Sequence, residues 1–305
     1  MSTLRFLTTA LHPRIWGIRL GIGLLWLLVR LPHDWQLCLG RWLGRQLHTF
    51  ARERREITAT NIRLCFPHYS GTAQSRLVRE TFESYGMSIF ETGTAWLGSV
   101  DHLRARATIT GIEHIKAVQA EGRGVLIIGA HFSTIDIAGA LVAPHLAMDV
   151  IYRPSRNPVF DQLIRQGRGR YFGAVLGKED MRGIIRGLRE GRAIWYAADQ
   201  NYAKRHSVFA PFFGIQAATI KGTSRLVKMS GAAAVFCSHF RETGGQSYRI
   251  DFSPVLEDFP TTDEVDDARR VNKLIEDALT DHPEQYLWLH RRFKTRPDNE
   301  AAVYY

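Results

Sequence analysis

The stretch GVLIIGA (124–130) is a short unbroken apolar run. A strand with one face in water alternates apolar and polar residues, so an unbroken run fits a strand covered on both faces, as parallel strands are. Strand-like and helix-like segments then take turns. A helix is expected over about 134–143, a strand in MDVIYR (148–153), and a helix in NPVFDQLIRQGRGRYF. KEDMRGIIRGLREG reads as a helix closed by Gly191, and RAIWYAAD (192–199) as a strand. AATIKGTSRLVKMSG (217–231) reads as a helix, AAAVFCSHF as a strand, SYRIDFSPV as an alternating edge strand, and about 264–280 as a last helix. This βαβα order predicts an α/β fold, a mainly parallel mixed sheet with helices on both faces.

The first third has a different texture. From Ala51 to about Leu97 the pattern is helical, with a break at Pro67. Ahead of it, WGIRLGIGLLWLLVRLP (16–32) is strongly apolar and preceded by Arg5 and Arg14. No small-residue cleavage site follows, so it does not read as a secretory signal. Only ten residues separate Arg19 from Arg30, whereas a bilayer span needs roughly 20. Those arginines fall within about 20° of each other on a helix, and each can snorkel toward headgroups. Trp16, Trp26, Trp35 and Trp42 flank the run as interfacial aromatics do, and arginines follow it closely. The expectation is a membrane-anchoring helix in 1–40, a helical segment in 41–110 packed on the catalytic domain, and an α/β domain in 111–305. The positive-inside rule puts that domain on the cytoplasmic side.

The chain's net charge of +10 and pI near 9.8 favour anionic partners. Cys38, Cys65 and Cys237 are too few and too scattered for a disulfide framework, which favours a reducing compartment. The C-terminal EQYLWLHRRFKTRP (284–297) reads as an aromatic-rich helix with basic side chains. No nucleic-acid-binding signature accompanies it, so anionic phospholipid headgroups are the expected contact and nucleic acid is not.

In such a fold chemistry collects at the carboxyl ends of the strands, and three expected strands end there in His131, Arg153 and Asp199. Within GAHFSTIDIAG, His131 and Asp136 stand five positions apart. A neutral imidazole there can take a proton from a substrate hydroxyl. A carboxylate at the start of the next helix can fold back onto the ring's other nitrogen. The same carboxylate equally fits a surface group favoured by the helix dipole, and spacing leaves both readings open. GxSxG, HExxH, a P-loop and GxGxxG are all missing, so direct base-assisted transfer to a bound acceptor is what remains. Arg153, Arg156, Arg165, Arg168 and Arg170 cluster in YRPSRNPVFDQLIRQGRGRYFG. Arginines near a strand end suit phosphate or thioester-carrier recognition, although Arg156 and Arg165 equally fit a solvated helix face.

Along nearly its whole length the chain resembles the bacterial lipid A late acyltransferases, the lauroyl/myristoyl transferase family of lipopolysaccharide biosynthesis. The matching stretches are TALHPRIWGIRLGIGLLWL, NIRLCFP, ETGTAWL, GIEHI, GAHFSTID, YRPSRNP, GRGR, AIWYAADQNY, SVFAPFFG, AATIKGTSRL and PEQYLWLHRRFKTRP. The resemblance implies a glycerolipid-acyltransferase-like α/β fold, His131 and Asp136 as the catalytic HX4D/E pair, and Arg168 as an active-site arginine. Family members often carry Glu where Asp136 stands. Substrate contacts are expected at Arg153, Arg170 and Asp199. The implied reaction moves a fatty acyl chain, with the resemblance leaning toward laurate, from acyl carrier protein to a 3-hydroxyacyl hydroxyl of Kdo(2)-lipid IV(A). Neither a metal nor a cofactor is implied beyond the acyl-carrier donor, and the expected setting is the inner membrane, as a monomer. The alternatives are another lipid acceptor (a lysophospholipid or lyso-ornithine lipid) and a non-catalytic membrane-surface scaffold. The wider glycerolipid acyltransferases carry an FPEGTRS-like block where this chain has SVFAPFFG, which argues against a glycerol phosphate acceptor.

Overall fold

The structure, a computed structural model, describes residues 16–304. Four helices come first: α1 Trp16–Leu28, α2 His33–Phe50, α3 Arg52–Cys65 and α4 Gly71–Leu97. The break at Pro67 falls between the last two, and the Ser70 hydroxyl caps α4 by accepting from the Ala73 amide. Helices α2 and α4 pack almost backbone to backbone. A Cβ added at Gly86 would run into the Gly40 carbonyl oxygen, and one at Gly44 into that of Phe82. This close approach fixes α4 over the carboxyl end of the sheet.

After a short turn of helix, α5 Asp101–Arg104, the chain alternates through β1 Ala107–Thr110, α6 Ile112–Ala120, β2 Val125–Gly129, α7 Ile135–Val142 and β3 Met148–Tyr152. It continues through α8 Pro158–Arg168, β4 Val175–Gly177, α9 Met181–Arg189, β5 Ala193–Ala197, β6 Ser207–Phe212, β7 Ile215–Ile220, α10 Gly222–Ser230, β8 Ala233–Arg241, β9 Tyr248–Val255 and α11 Glu264–Ala278. Seven strands form one sheet in the order β1-β9-β8-β2-β5-β3-β4. It is parallel from β8 to β4, β9 runs antiparallel to β8, and β1 parallels β9. All five residues of β2 are buried, and successive side chains feed two apolar layers, one on each face. That is the expected mixed, mainly parallel sheet.

Four expectations need correction. The first concerns the N-terminal membrane helix: among the described residues no helix is long and apolar enough to cross a membrane. At 1.5 Å per residue the 13 residues of α1 rise only about 20 Å against a hydrocarbon core of about 30 Å. The helix stops where Arg30 folds back over the Trp26 ring, 3.4 Å from its centroid, and gives a hydrogen bond to the Trp26 carbonyl. Arg5 and Arg14 lie outside the described residues. Second, SYRIDFSPV is not an edge strand, because β1, whose four residues ATIT carry little apolar signal, lies outside it. Third, the helix expected over 217–231 begins only at Gly222, since Ile215–Ile220 pairs with β6. Phe213 and Gly214, both at positive φ (50° and 76°), close that hairpin as a type I′ turn does. Fourth, 284–297 is not a helix. After a 3₁₀ turn at Pro283–Gln285 it runs as an irregular strap, with Trp288, Arg292 and Phe293 no more than 1% exposed. Its aromatic residues face several neighbouring elements at once, which no single helix face could do.

Candidate active site

Gly129 and Ala197 are register partners on the adjacent parallel strands β2 and β5. His131 and Asp199 each follow that rung by two residues, so both leave the sheet side by side. The Asp199 carboxylate accepts twice from His131, at 2.6 Å from ring Nδ1 and at 3.0 Å from the backbone N–H. Asp199 is buried (2%), whereas 31% of the His131 side chain is open. Burial pushes the Asp199 carboxyl up, but the His131 ring, its two hydrogen bonds and the Arg292 guanidinium outweigh this and hold it at about 2. A carboxylate fixed on Nδ1 keeps the Nδ1–H tautomer and leaves Nε2 with its lone pair outward. The Gln200 amide nitrogen stands 3.2 Å from that Nε2, in the position a reacting hydroxyl would take.

Asp136 does not hold the His131 ring. It sits in the first turn of α7, where its carboxylate accepts from Arg168 Nε at 2.8 Å. Both partners are largely buried, at 9% and 15%. A five-residue spacing that turns into a helix carries the carboxylate round to the α8 side, and Asp199 takes the place beside the ring. The Nη groups of Arg168 carry no hydrogen bond among the described residues. They face a narrow apolar cleft lined by Asp136, Gly139, Val142, Phe172 and Trp195.

The other expected arginines part company here. Arg170 spends its guanidinium on the carbonyls of Ala95, Trp96 and Gly98, closing the C-terminal end of α4. Arg153 is exposed at the end of β3, and its charge reaches the Tyr202 hydroxyl, which also feels Asp199. Arg156 and Arg165 are exposed.

Hydrogen bonds from α4 and the C-terminal strap fix the loop that carries His131. Tyr85 of α4 donates to the His131 carbonyl at 3.2 Å, and the Ser84 and Ser133 hydroxyls pair at 2.8 Å. The Ser133 N–H donates to the Gln285 carbonyl at 2.7 Å, while the Gln285 side chain bridges the N–H and carbonyl of Arg241. Arg241 and Glu91 form a buried two-point ion pair at 2.7 and 2.5 Å, with the Tyr248 hydroxyl on the same carboxylate. On the opposite side the Asn201 N–H donates to His290 Nε2 at 3.0 Å, and the Asn201 side chain exchanges hydrogen bonds with Thr295. Burial depresses the His290 ring to about 4, so it is neutral and can accept. The C-terminal strap thus clamps both strand-end loops. Asp199's part in holding the ring, Gln200 and His290 escaped the sequence reading. The available signal was the equal length of the runs ending GAH and AAD.

The model of the bacterial lipid A biosynthesis acyltransferases matches residues 3–295. A lipid A biosynthesis lauroyltransferase of Escherichia coli (strain K12) is 40% identical over 306 residues, covering 98% of each chain. A lipid A biosynthesis palmitoleoyltransferase of the same organism is 38% identical over 301 residues, also covering 98% of each. A lipid A biosynthesis acyltransferase of Haemophilus influenzae is 32% identical over 300 residues, covering 97% of this chain and 96% of its own.

Proposed function

The chain belongs to the bacterial lipid A biosynthesis acyltransferases, and we propose that it transfers laurate from acyl carrier protein to a 3-hydroxyacyl hydroxyl of Kdo(2)-lipid IV(A) at the cytoplasmic face of the inner membrane. The observation that carries this reading is the His131–Asp199 pair with Nε2 facing outward, followed at the start of α7 by Asp136, which holds an Arg168 whose Nη groups are unengaged.

The acceptor hydroxyl takes the place of the Gln200 amide at Nε2. His131 removes its proton as the oxygen attacks the thioester carbonyl, and Asp199 stabilises the imidazolium that forms. The carbonyl oxygen gains negative charge, which the Arg168 guanidinium meets with N–H donors held by Asp136. The nearby Ser133 amide is already given to Gln285, so Arg168 is the better-placed donor. The carbon–sulfur bond then breaks and the thiol of the carrier's prosthetic arm leaves with the proton from His131. Asp136 on this reading orients Arg168 rather than the base. Arg153, exposed at the same edge of the sheet, suits a phosphate or carboxylate of the acceptor. The excess of basic residues likewise suits an acidic carrier.

The test is transfer of a radiolabelled lauroyl group from acyl carrier protein to Kdo(2)-lipid IV(A). A pentaacyl product sensitive to His131→Ala supports the reading. Efficient acylation of a lysophospholipid with none of lipid IV(A) would replace it.

A further inference from the structure

Helices α9 and α10, nine residues each, together carry five basic residues and no acidic one, half of the chain's net charge of +10. On α9, Arg182, Arg186 and Arg189 fall within about 60° of one another at 3.6 residues per turn, opposite the buried Ile184 and Leu188. α10 likewise turns Arg225 and Lys228 outward, with Leu226 and Val227 in the same apolar layer as Ile184 and Leu188. The Arg189 guanidinium reaches the Met229 carbonyl at 2.7 Å, so the two basic stripes lie side by side. Arg182, Arg186 and Lys228 have no ion pair among the described residues. Of the nearby carboxylates, Asp180 is spent capping α9 at the Gly183 amide, and Glu264 on Arg225 and Lys221. Met181 and Met229, 42% and 55% exposed, stand at opposite ends of the face. Like charges so gathered repel one another until an anionic surface meets them, and methionine adapts its shape to whatever it packs against.

Both helices start at the carboxyl end of the sheet, because β5 and β8, which follow them, run parallel to β2. His131 and Asp199 emerge at that same end. β4, from which the chain enters α9, lies three strands from β2, or about 14 Å at about 4.8 Å per strand step. We propose that the α9–α10 face docks the acidic acyl carrier protein, meeting an anionic helix of the carrier while the thioester on its arm reaches over the sheet end to His131. The inference rests on the lipid A acyltransferase reading above and adds where the donor lands. An anionic bilayer would call for an apolar stripe turned outward beside the charges. α9 and α10 turn theirs into the core, and the exposed apolar side chains gather on α1 and α2 instead. A single phosphate calls for donors that converge on one point. These five stand apart on an outer layer about 13 Å long, a spread that matches carboxylates repeated along the turns of a helix.

The experiment reverses charge in Arg182→Glu with Arg186→Glu, and separately in Lys228→Glu, all at exposed helix positions that glutamate tolerates. Lauroyl transfer is measured with the carrier-bound donor and with lauroyl-pantetheine, which has the thioester but no protein. Carrier binding is measured without acceptor. The double variant is expected to raise the KM for the carrier-bound donor about tenfold and Lys228→Glu about threefold. Because docking is shared by ground and transition states, kcat stays within about threefold. The KM values for lauroyl-pantetheine and for the acceptor stay put. Added salt raises the carrier KM of the wild-type protein more steeply than that of the double variant, and Arg186→Lys, which keeps the charge, behaves as wild type. Folded variants with an unmoved carrier KM would overturn the proposal. So would an equal loss with lauroyl-pantetheine, or variants that lose only their sedimentation with phosphatidylglycerol vesicles. A wild-type protein that neither binds nor uses the carrier overturns it as well. If the protein binds the carrier through this face yet acylates no lipid IV(A), the functional reading fails and the docking face stands.

Discussion

Replacing Asp199 by asparagine removes one charge from a position that faces two donors. The carboxylate accepts from ring Nδ1 and from the His131 N–H at once. An asparagine amide has a single acceptor oxygen, and the backbone N–H, unable to rotate or change its proton, claims it. The amide NH₂ then points at Nδ1, so the ring must present a lone pair there and move its proton to Nε2. A base whose Nε2 already carries a proton cannot take one from the acceptor, and the wrong tautomer costs roughly 10³–10⁴-fold in kcat. The same substitution weakens the fold. The carboxyl is held at about 2 against about 3.9 in an unfolded chain, which at about 1.36 kcal/mol per unit gives about 2.6 kcal/mol. Because the folded value is the lower one, that stability is fully present above about pH 4 and is lost as pH falls through about 2. Single-turnover lauroyl transfer at pH 7 measures the first effect, and urea unfolding of both proteins between pH 3 and pH 7 the second. A folded Asp199→Asn protein within tenfold of the original rate would refute the pairing as the source of the base's tautomer. So would Asp136→Asn losing more than Asp199→Asn.

Five further outcomes follow from the same geometry. His131→Ala removes the base and is expected to lower kcat by on the order of 10²–10⁴-fold, read by the same transfer assay with circular dichroism to confirm folding. Arg168→Lys keeps the charge but loses the fork that spans Asp136 and a developing oxyanion, so kcat/KM falls roughly 10²-fold, or about 3 kcal/mol; Arg165→Ala, on the exposed side of α8, changes kcat/KM by less than about threefold. Glu91→Gln strands Arg241 in the core and is expected to cost about 3–5 kcal/mol of stability by denaturant unfolding. His290→Ala deprives the Asn201 N–H of its acceptor and loosens the Asp199 loop; kcat should drop about fivefold, by analogy with the loss of a neutral hydrogen bond worth about 1 kcal/mol, with the acceptor KM unchanged.

How much of this could be read from the chain depended on whether a signal was local. Helix α9 shows its periodicity, its Asp180 cap and its closing Gly191 within one stretch, and β2 shows its burial in seven letters. Both were legible. β1 and β4 were not, because four and three residues carry no pattern, and their identity as strands comes from a neighbour to pair with. The site divides the same way. His131 announces itself as a polar residue after an apolar run, and so does Asp199, but which carboxylate serves the ring is decided by strand order. Asp136 is five residues away along the chain and Asp199 sixty-eight, yet β5 lies directly beside β2 and in register, while the chain after His131 turns into α7 and carries Asp136 away toward Arg168. A short spacing suggests a contact only while the backbone between the two residues is undetermined. Once a helix begins at Ile135, its geometry sets where the carboxylate points, and a residue brought in by the sheet occupies the vacated place. Tyr286, Trp288 and Arg292 were misread for a related reason. The aromatic and basic composition of 284–297 suggests a helix, but all three residues crowd the single ring of Phe212 in β6, and only the assembled core says so.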